Sequence, residues 1–280
     1  MLERGHAVRT LSRTPAPPGS PIEAVPFAFD DPEALVGSLR GVDTFYNTYW
    51  IRFPRGKVTF ELAVENTRRL LRAAEQAGVG RFVHVSVSNP SEHSPLPYFR
   101  GKAVLEQAVR ASTITHAIVR PTLIFGPNDL LVNNIAWILR RFPFFLVPGS
   151  GAYEVQPVSV TDTARIAVDA GDDVTADAAG PERYRYDELV RLIAAVLGLR
   201  RPVWHAPARV CLALTKPINW AKRDVVITRE EIEGLEAGLL ASHETPLGFD
   251  SFRDWLEATA DALGRRYVSE RARNYPRAPV

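Results

Sequence analysis

The chain has 280 residues, of which 46% are hydrophobic and 24% charged, and its formal net charge is +2. These proportions exclude disorder, collagen-like repeats and low complexity, and they fit one large domain or a domain with an appendage. A single cysteine, Cys211, excludes a disulfide framework or a multi-thiolate metal site, and the small net charge excludes a nucleic-acid charge stripe.

Residues 6–11 read as a short strand, followed by a Pro/Gly/Ser loop over 14–21 and a second extended run over 22–29. Asp31-Pro32-Glu33 marks a helix start with proline in the first turn. Residues 42–47 read as a buried strand. Apolar residues at 62, 63, 70, 71, 73 and 74 predict a helix over 61–77, ended by Gly78. Strand is predicted over 81–87, helix over 98–111 and strand again over 115–119. After residue 128 the texture changes, with helices predicted over 133–140, 186–197, 228–240 and 252–273 and a Pro/Gly-punctuated aromatic segment over 142–151.

This alternation predicts the α/β class: a doubly wound parallel sheet over 1–127, and a smaller, mostly helical lobe over 128–280 interleaved with it. No run reaches the roughly 18 apolar residues of a transmembrane helix, and the first six residues lack a secretory apolar core. A soluble, cytoplasmic protein without membrane insertion is expected. Open parallel sheets bind ligands beyond the carboxyl ends of their strands. The residues to inspect are therefore Ser12 and Arg13, then 47–50, 86–89 and 121–125.

The chemistry concentrates in Tyr98-Phe-Arg-Gly-Lys102, a phenol and an ammonium on one helix face. The lysine can lower the phenol's pKa and bond a ribose hydroxyl. The phenol can then exchange a proton with a carbonyl or carbinol oxygen while hydride moves to or from a nicotinamide ring. Ser86 and Ser88 end the preceding strand on the same side, and either hydroxyl could bond the substrate oxygen. The pair alone also fits an ordinary solvated helix pair. Its place, after a Ser-bearing strand and before a strand ending in Arg120-Pro121, gives it meaning.

Arg13 follows the strand whose end usually meets the adenine ribose. An acid there would bond a 2′-hydroxyl, whereas an arginine accommodates a 2′-phosphate. No acid occupies positions 10–14, which favours NADP over NAD, although 30 of the 34 basic residues are arginine and a surface role is equally open. His84 reads as a satisfied core residue, His93 as a solvent loop residue, Asp162 as a helix cap and Cys211 as core. No His, Cys, Asp or Glu grouping has metal-ligand spacing. Trp137, Phe144, Phe145 and Tyr153 suggest an apolar or aromatic small-molecule substrate in a pocket lined by 128–202.

Five motifs in order, Gly41-Val-Asp-Thr-Phe-Tyr-Asn, Glu65-Asn-Thr-Arg-Arg-Leu-Leu, Arg81-Phe-Val-His-Val-Ser, Tyr98-x3-Lys102 and Arg120-Pro-Thr-Leu-Ile-Phe-Gly, carry a resemblance over nearly the whole chain. It resembles the short-chain dehydrogenase/reductase superfamily, in the extended and atypical branch that includes epimerase-like, NmrA-like and complex I 39-kDa-subunit-like proteins. The resemblance implies a Rossmann-like sheet that binds NADP or NAD. Tyr98 would be the acid/base, Lys102 its partner and ribose ligand, and Ser86 or Ser88 the substrate-orienting hydroxyl. Asn66 would support the proton relay, and Arg13, Asn47 and Pro121 would lie along the cofactor.

The family's Gly-rich pyrophosphate turn has no counterpart in the motifs. Gly78-Val-Gly80 precedes a strand and Gly149-Ser-Gly151 lies in a loop, whereas the turn joins a strand to a helix. Residues 1–6 resemble the end of the first helix of that fold. The expectation is that the first strand, the turn and most of that helix lie upstream or have been lost, and that the flanking strands have unpaired edges. Two functions remain open: a nicotinamide-dependent oxidoreductase or epimerase-like enzyme, and a non-catalytic nucleotide sensor or assembly protein. The second would meet a partner, or a second copy, through the C-terminal helices.

Overall fold

The computed structural model describes residues 1–12 and 15–274; Arg13 lies outside them. Strands β1 (Val8–Leu11) and β2 (Ile22–Val25) pair in parallel. Helix α1 (Pro32–Leu39) starts as expected, with the Asp31 carboxylate accepting from the Ala34 amide at 3.0 Å and Pro32 in the first turn. Then come β3 (Thr44–Asn47), α2 (Phe60–Ala77), β4 (Arg81–Val85), α3 (Pro97–Arg110) and β5 (Thr115–Pro121). Thr59 caps the start of α2, and Gly78, at φ 74°, takes the left-handed turn that ends it.

The main sheet has the order β10-β5-β4-β3 with every pairing parallel, and its fourth strand, β10 (Val174–Ala178), comes from the second half of the chain. Leu70, Leu71 and Ala74 of α2 pack on Phe82 and Ile118 of the sheet, together with Leu35 and Leu39 of α1. Among the described residues β1 pairs only with β2, and β3 only with β4. The β1–β2 ribbon is fastened by side chains instead of a ladder. Arg9 donates to the carbonyls of Ser38 and Arg40, Arg69 donates to the Phe29 carbonyl, and Phe27, Phe29 and Tyr49 cluster with ring centroids 5.2–5.8 Å apart.

The second half contains β6 (Leu123–Phe125), α4 (Leu131–Arg141), β7 (Phe145–Pro148), β8 (Glu154–Val155), β9 (Pro157–Ser159) and α5 (Val160–Asp169) before β10. After it come β11 (Tyr184–Arg185), α6 (Tyr186–Val196), β12 (Val203–Ala206), α7 (Ala208–Lys222), α8 (Arg229–Glu236), α9 (Phe252–Thr259) and α10 (Glu270–Asn274). The lobe is mostly helical, as expected, and among the described residues three two-stranded ladders, β6–β9, β7–β12 and β8–β11, link its helices. The helix expected over 252–273 is two helices. Phe252 and Leu256 of α9 are spent inside the lobe, against Phe125 and Trp255. The chain then turns at Gly264, at φ 71°, where a Cβ would lie 2.5 Å from the Ala136 carbonyl carbon. Only glycine passes there.

Phe252 is fully buried at the centre of the lobe's core. Phe252→Ala is expected to cost about 3–5 kcal/mol of unfolding free energy, measured by urea denaturation.

Candidate active site

Helix α3 carries Tyr98, Lys102 and Glu106 four residues apart, so all three share one face. Glu106 fixes that face to the sheet. Its carboxylate accepts from the Ser86 hydroxyl at 2.6 Å, from Arg120 Nε and Nη2 at 2.9 and 2.6 Å, and from Arg110 at 2.9 Å. Burial pushes this carboxyl up, but the bonds from Arg120, Ser86 and Arg110 outweigh it and hold it below the ordinary range.

Lys102 is 3% exposed, and its ammonium donates to the Val85 carbonyl at 2.7 Å. The Trp50 ring lies 4.7 Å from Nζ, and the neighbouring Glu106 favours the charged form. Burial nevertheless lowers the ammonium to about 7. Tyr98 meets Trp50 and Phe60 edge-on, with centroids 5.8 and 6.0 Å away. Burial raises its phenol to about 12, Glu231 adds to the rise, and the cation that opposes it is Arg52. Sequence reasoning assigned that charge to Lys102 and missed both Arg52 and Glu106. The 98–102–106 spacing was a readable signal for Glu106; Arg52 carried none.

Arg52 follows β3 and makes a two-point ion pair with Glu231 at 2.5 and 3.0 Å, and it donates to the Val226 carbonyl at 3.0 Å. Glu231 also accepts from the Thr228 amide in the capping box that starts α8. This pair joins the sheet half to the lobe beside Tyr98.

A cavity of about 910 Å³ opens along the carboxyl ends of the strands and runs into the lobe. Tyr98, Lys102, Ser86, Pro121, Trp50, Arg52 and Glu231 lie on its wall at the sheet end. Phe144, Phe145, Ile138, Leu214 and Ile218 make the far wall apolar. Among the described residues, four of the expected site residues, Tyr98, Lys102, Ser86 and Pro121, therefore share one cavity. Trp137 and Tyr153, expected there, do not line it.

Of the other expected residues, Ser88, Asn66 and Asn47 stand behind it. Ser88 donates to the Leu239 carbonyl at 2.6 Å. Asn66 donates to the Tyr49 hydroxyl at 3.0 Å, the Tyr49 amide donates to Asn47 at 3.2 Å, and Asn47 Nδ2 lies 2.9 Å from His84 Nδ1. That bond makes Nδ1 the acceptor, so the proton sits on Nε2, which has no partner. His84 is buried as expected but only half satisfied, and burial holds it well below its ordinary pKa. The cap of α5 is Ser159 where Asp162 was expected. The Asp162 carboxylate instead accepts from the Phe249 and Asp250 amides, both at 2.8 Å. Cys211 is buried, on the cavity wall.

The walls fit the nicotinamide-ribose end of a dinucleotide. Lys102 has spare N–H donors beside its single carbonyl bond, and Trp50 Nε1 is a buried donor without a partner. Among the described residues nothing forms the strand, Gly-rich turn and helix that hold a pyrophosphate.

Comparison with known proteins agrees with this architecture. Residues 1–128 match the NAD(P)H-binding domain family. The mitochondrial NADH-ubiquinone oxidoreductase 40 kDa subunit of Neurospora crassa is 27% identical over 216 residues, 75% of this chain and 56% of that protein. The mouse (Mus musculus) mitochondrial NADH dehydrogenase [ubiquinone] 1 alpha subcomplex subunit 9 is 37% identical over 138 residues, 48% of this chain and 37% of that protein. The chain thus spans little more than half, or less, of these relatives. A nucleoside-diphosphate-sugar epimerase from Staphylococcus aureus superposes with a TM-score of 0.69 at 15% identity, covering 89% of each chain. Fold and crevice define a Rossmann-like NAD(P)-binding protein. Over these spans it is similar to the epimerases and to the complex I 39/40 kDa subunits, proteins of the kind grouped in the extended branch of the short-chain dehydrogenase/reductase superfamily.

Two measurements check the site's electrostatics. Glu106→Gln is expected to cost about 3 kcal/mol of stability, the lower end for a broken buried pair because the arginines left behind are partly exposed. Lys102 titrates below its ordinary value of 10.5, so its unfolded form binds the proton more tightly. Its contribution to stability is full above 10.5, is lost as pH falls towards about 7, and is flat below that. Thermal melts of wild type and Lys102→Met are expected to diverge across that window, the wild type losing ground as the pH falls.

Proposed function

We propose that the protein is a cytoplasmic NAD(P)-dependent oxidoreductase of the epimerase-like type, acting on an apolar carbonyl or carbinol compound. The reading rests on one observation: Tyr98, Lys102, Ser86 and Pro121, from three separate elements, open on one cavity whose far wall is apolar. When bound, the nicotinamide supplies or takes up hydride. Tyr98 handles the proton on the substrate oxygen. Lys102 bonds the ribose, and Pro121 ends the strand beside it.

Ser86 takes a narrower part than the resemblance implies. Its proton is committed to Glu106, so towards substrate it offers lone pairs and accepts from a carbinol hydroxyl. Ser88 and Asn47 act as supports. Asn66, whose Oδ1 is unpaired, holds Tyr49 and through it the floor of the site. NADP is the favoured cofactor, on the absence of an acid from positions 10–14 and the presence of Arg13.

A second reading, a nucleotide-sensing or assembly protein, draws support from the relatives named as subunits of NADH-ubiquinone oxidoreductase. The C-terminal helix α9 gives it little, since the apolar residues Phe252 and Leu256 are buried within the lobe. Tyr98→Phe separates the two. For an enzyme, turnover is expected to fall about 10²–10⁴-fold with NADPH affinity, read by fluorescence titration, unchanged. No turnover of any apolar carbonyl by the wild type, with NADPH still bound, would select the sensor.

A further inference from the structure

Residues 189–223 contain seven arginines and lysines and no aspartate or glutamate, although the whole chain carries a net charge of only +2. Helix α7 lies in this run. Its inner face turns Cys211, Thr215 and Ile218 to the cavity. Its outer face is an apolar stripe at helical spacing: Val210, Ala213, Leu214, Pro217 and Trp220, all exposed. Trp220 is 84%, Leu214 54% and Val210 38% exposed. Arg209 and Lys216 flank the stripe and Arg223 ends it, all three exposed. On the adjoining β12, Trp204 is exposed as well and stacks on Phe144 at 4.8 Å.

A helix in water normally turns polar residues outward, so this stripe calls for a cover. Exposed acids nearby, Glu233 and Glu236, belong to the neighbouring α8, whereas the charges flanking the stripe itself are Arg209, Lys216 and Arg223, so stripe-to-stripe pairing of two copies brings like charges together. An anionic bilayer meets both features at once, because its acyl boundary takes the apolar stripe and its headgroup phosphates take the flanking cations. Tryptophan at the helix end suits the headgroup level. We infer that α7 seats the protein on an anionic bilayer surface, with Val210, Leu214 and Pro217 in the acyl boundary, Trp220 at the headgroup level and Arg209, Lys216 and Arg223 among the phosphates. Lying on a membrane differs from crossing one: no helix among the described residues is long and apolar enough to cross. Leu214 lines the cavity as well as the surface, so docking would bring the cavity's apolar wall against the bilayer.

The test is co-sedimentation of the intact protein with vesicles of phosphatidylcholine alone and of phosphatidylcholine mixed with phosphatidylglycerol. Binding to the mixed vesicles, weak binding to the neutral ones and a decline with added salt are expected. Trp220→Glu should weaken vesicle binding about tenfold or more, and Lys216→Glu at least about fivefold. Both positions are exposed, so circular dichroism and melting should match wild type. Equal binding to both vesicle types, or unaltered binding by both variants, would overturn the inference. So would sedimentation velocity showing that Trp220→Glu dissolves a dimer while vesicle binding is absent. The readout involves no turnover, and failure of the proposed reaction would leave it standing.

Discussion

The carboxylate of Glu106 is the point on which the site depends. It lies on the third turn of α3, on the face that also carries Tyr98 and Lys102, and it gathers donors from the end of β4, from β5 and from α3 itself. A buried carboxylate is costly unless it is paired and hydrogen-bonded, and here four donors meet it. That cost gives the contact its selectivity. If α3 rotates or slides by a turn, the carboxylate loses its partners, so only one placement of the helix is tolerated. Tyr98 and Lys102 reach the cavity because Glu106 has no alternative.

The second constraint ties the halves together. The Arg52–Glu231 pair spans from the loop after β3 to the first turn of α8, and Glu231 simultaneously closes the capping box of that helix. One carboxylate therefore sets where α8 begins and how it faces the sheet. Asp224 plays a similar part, accepting from Tyr267 and from the Glu270 and Arg271 amides, which pins the C-terminal segment beside the same wall. The lobe is thus attached around the cavity's rim by charge, while its interior is held by aromatic and aliphatic packing.

Much of this was legible. Most strands and helices up to residue 119 follow from period and caps; α2, for instance, buries a continuous apolar face and ends at Gly78. The Tyr98–Lys102 pair could be read from its spacing together with its place between a Ser-bearing strand and Arg120-Pro121, though not which of Ser86 and Ser88 faces the cavity. What stayed hidden depends on partners remote in sequence. The ladders β6–β9 and β7–β12 are too short to show a pattern and exist only because their partner strands lie beside them. Helix α7 carries an interior proline, Pro217, and an outward apolar stripe, so its periodicity gave no polar face to recognise. Arg52 looked like one arginine among thirty until Glu231, 179 positions away, gave it a role.

The electrostatics also bear on the direction of the proposed chemistry. Burial acts in opposite senses on the two groups of α3, raising the phenol to about 12 and lowering the ammonium to about 7, because it penalises whichever form is charged. Near neutral pH the phenol therefore keeps its proton, while the lysine holds its charge less firmly than an ordinary lysine. A tyrosine in that state is a donor: it suits handing a proton to an oxygen that is gaining negative charge, and it is a poor base for removing one. The phenolate left behind would be stabilised by the cation already near it, Arg52. Ser86, whose proton is fixed on Glu106, can accept the hydroxyl so formed. For the proposed reaction, burial of the two groups on α3 therefore favours reduction of a carbonyl over oxidation of a carbinol.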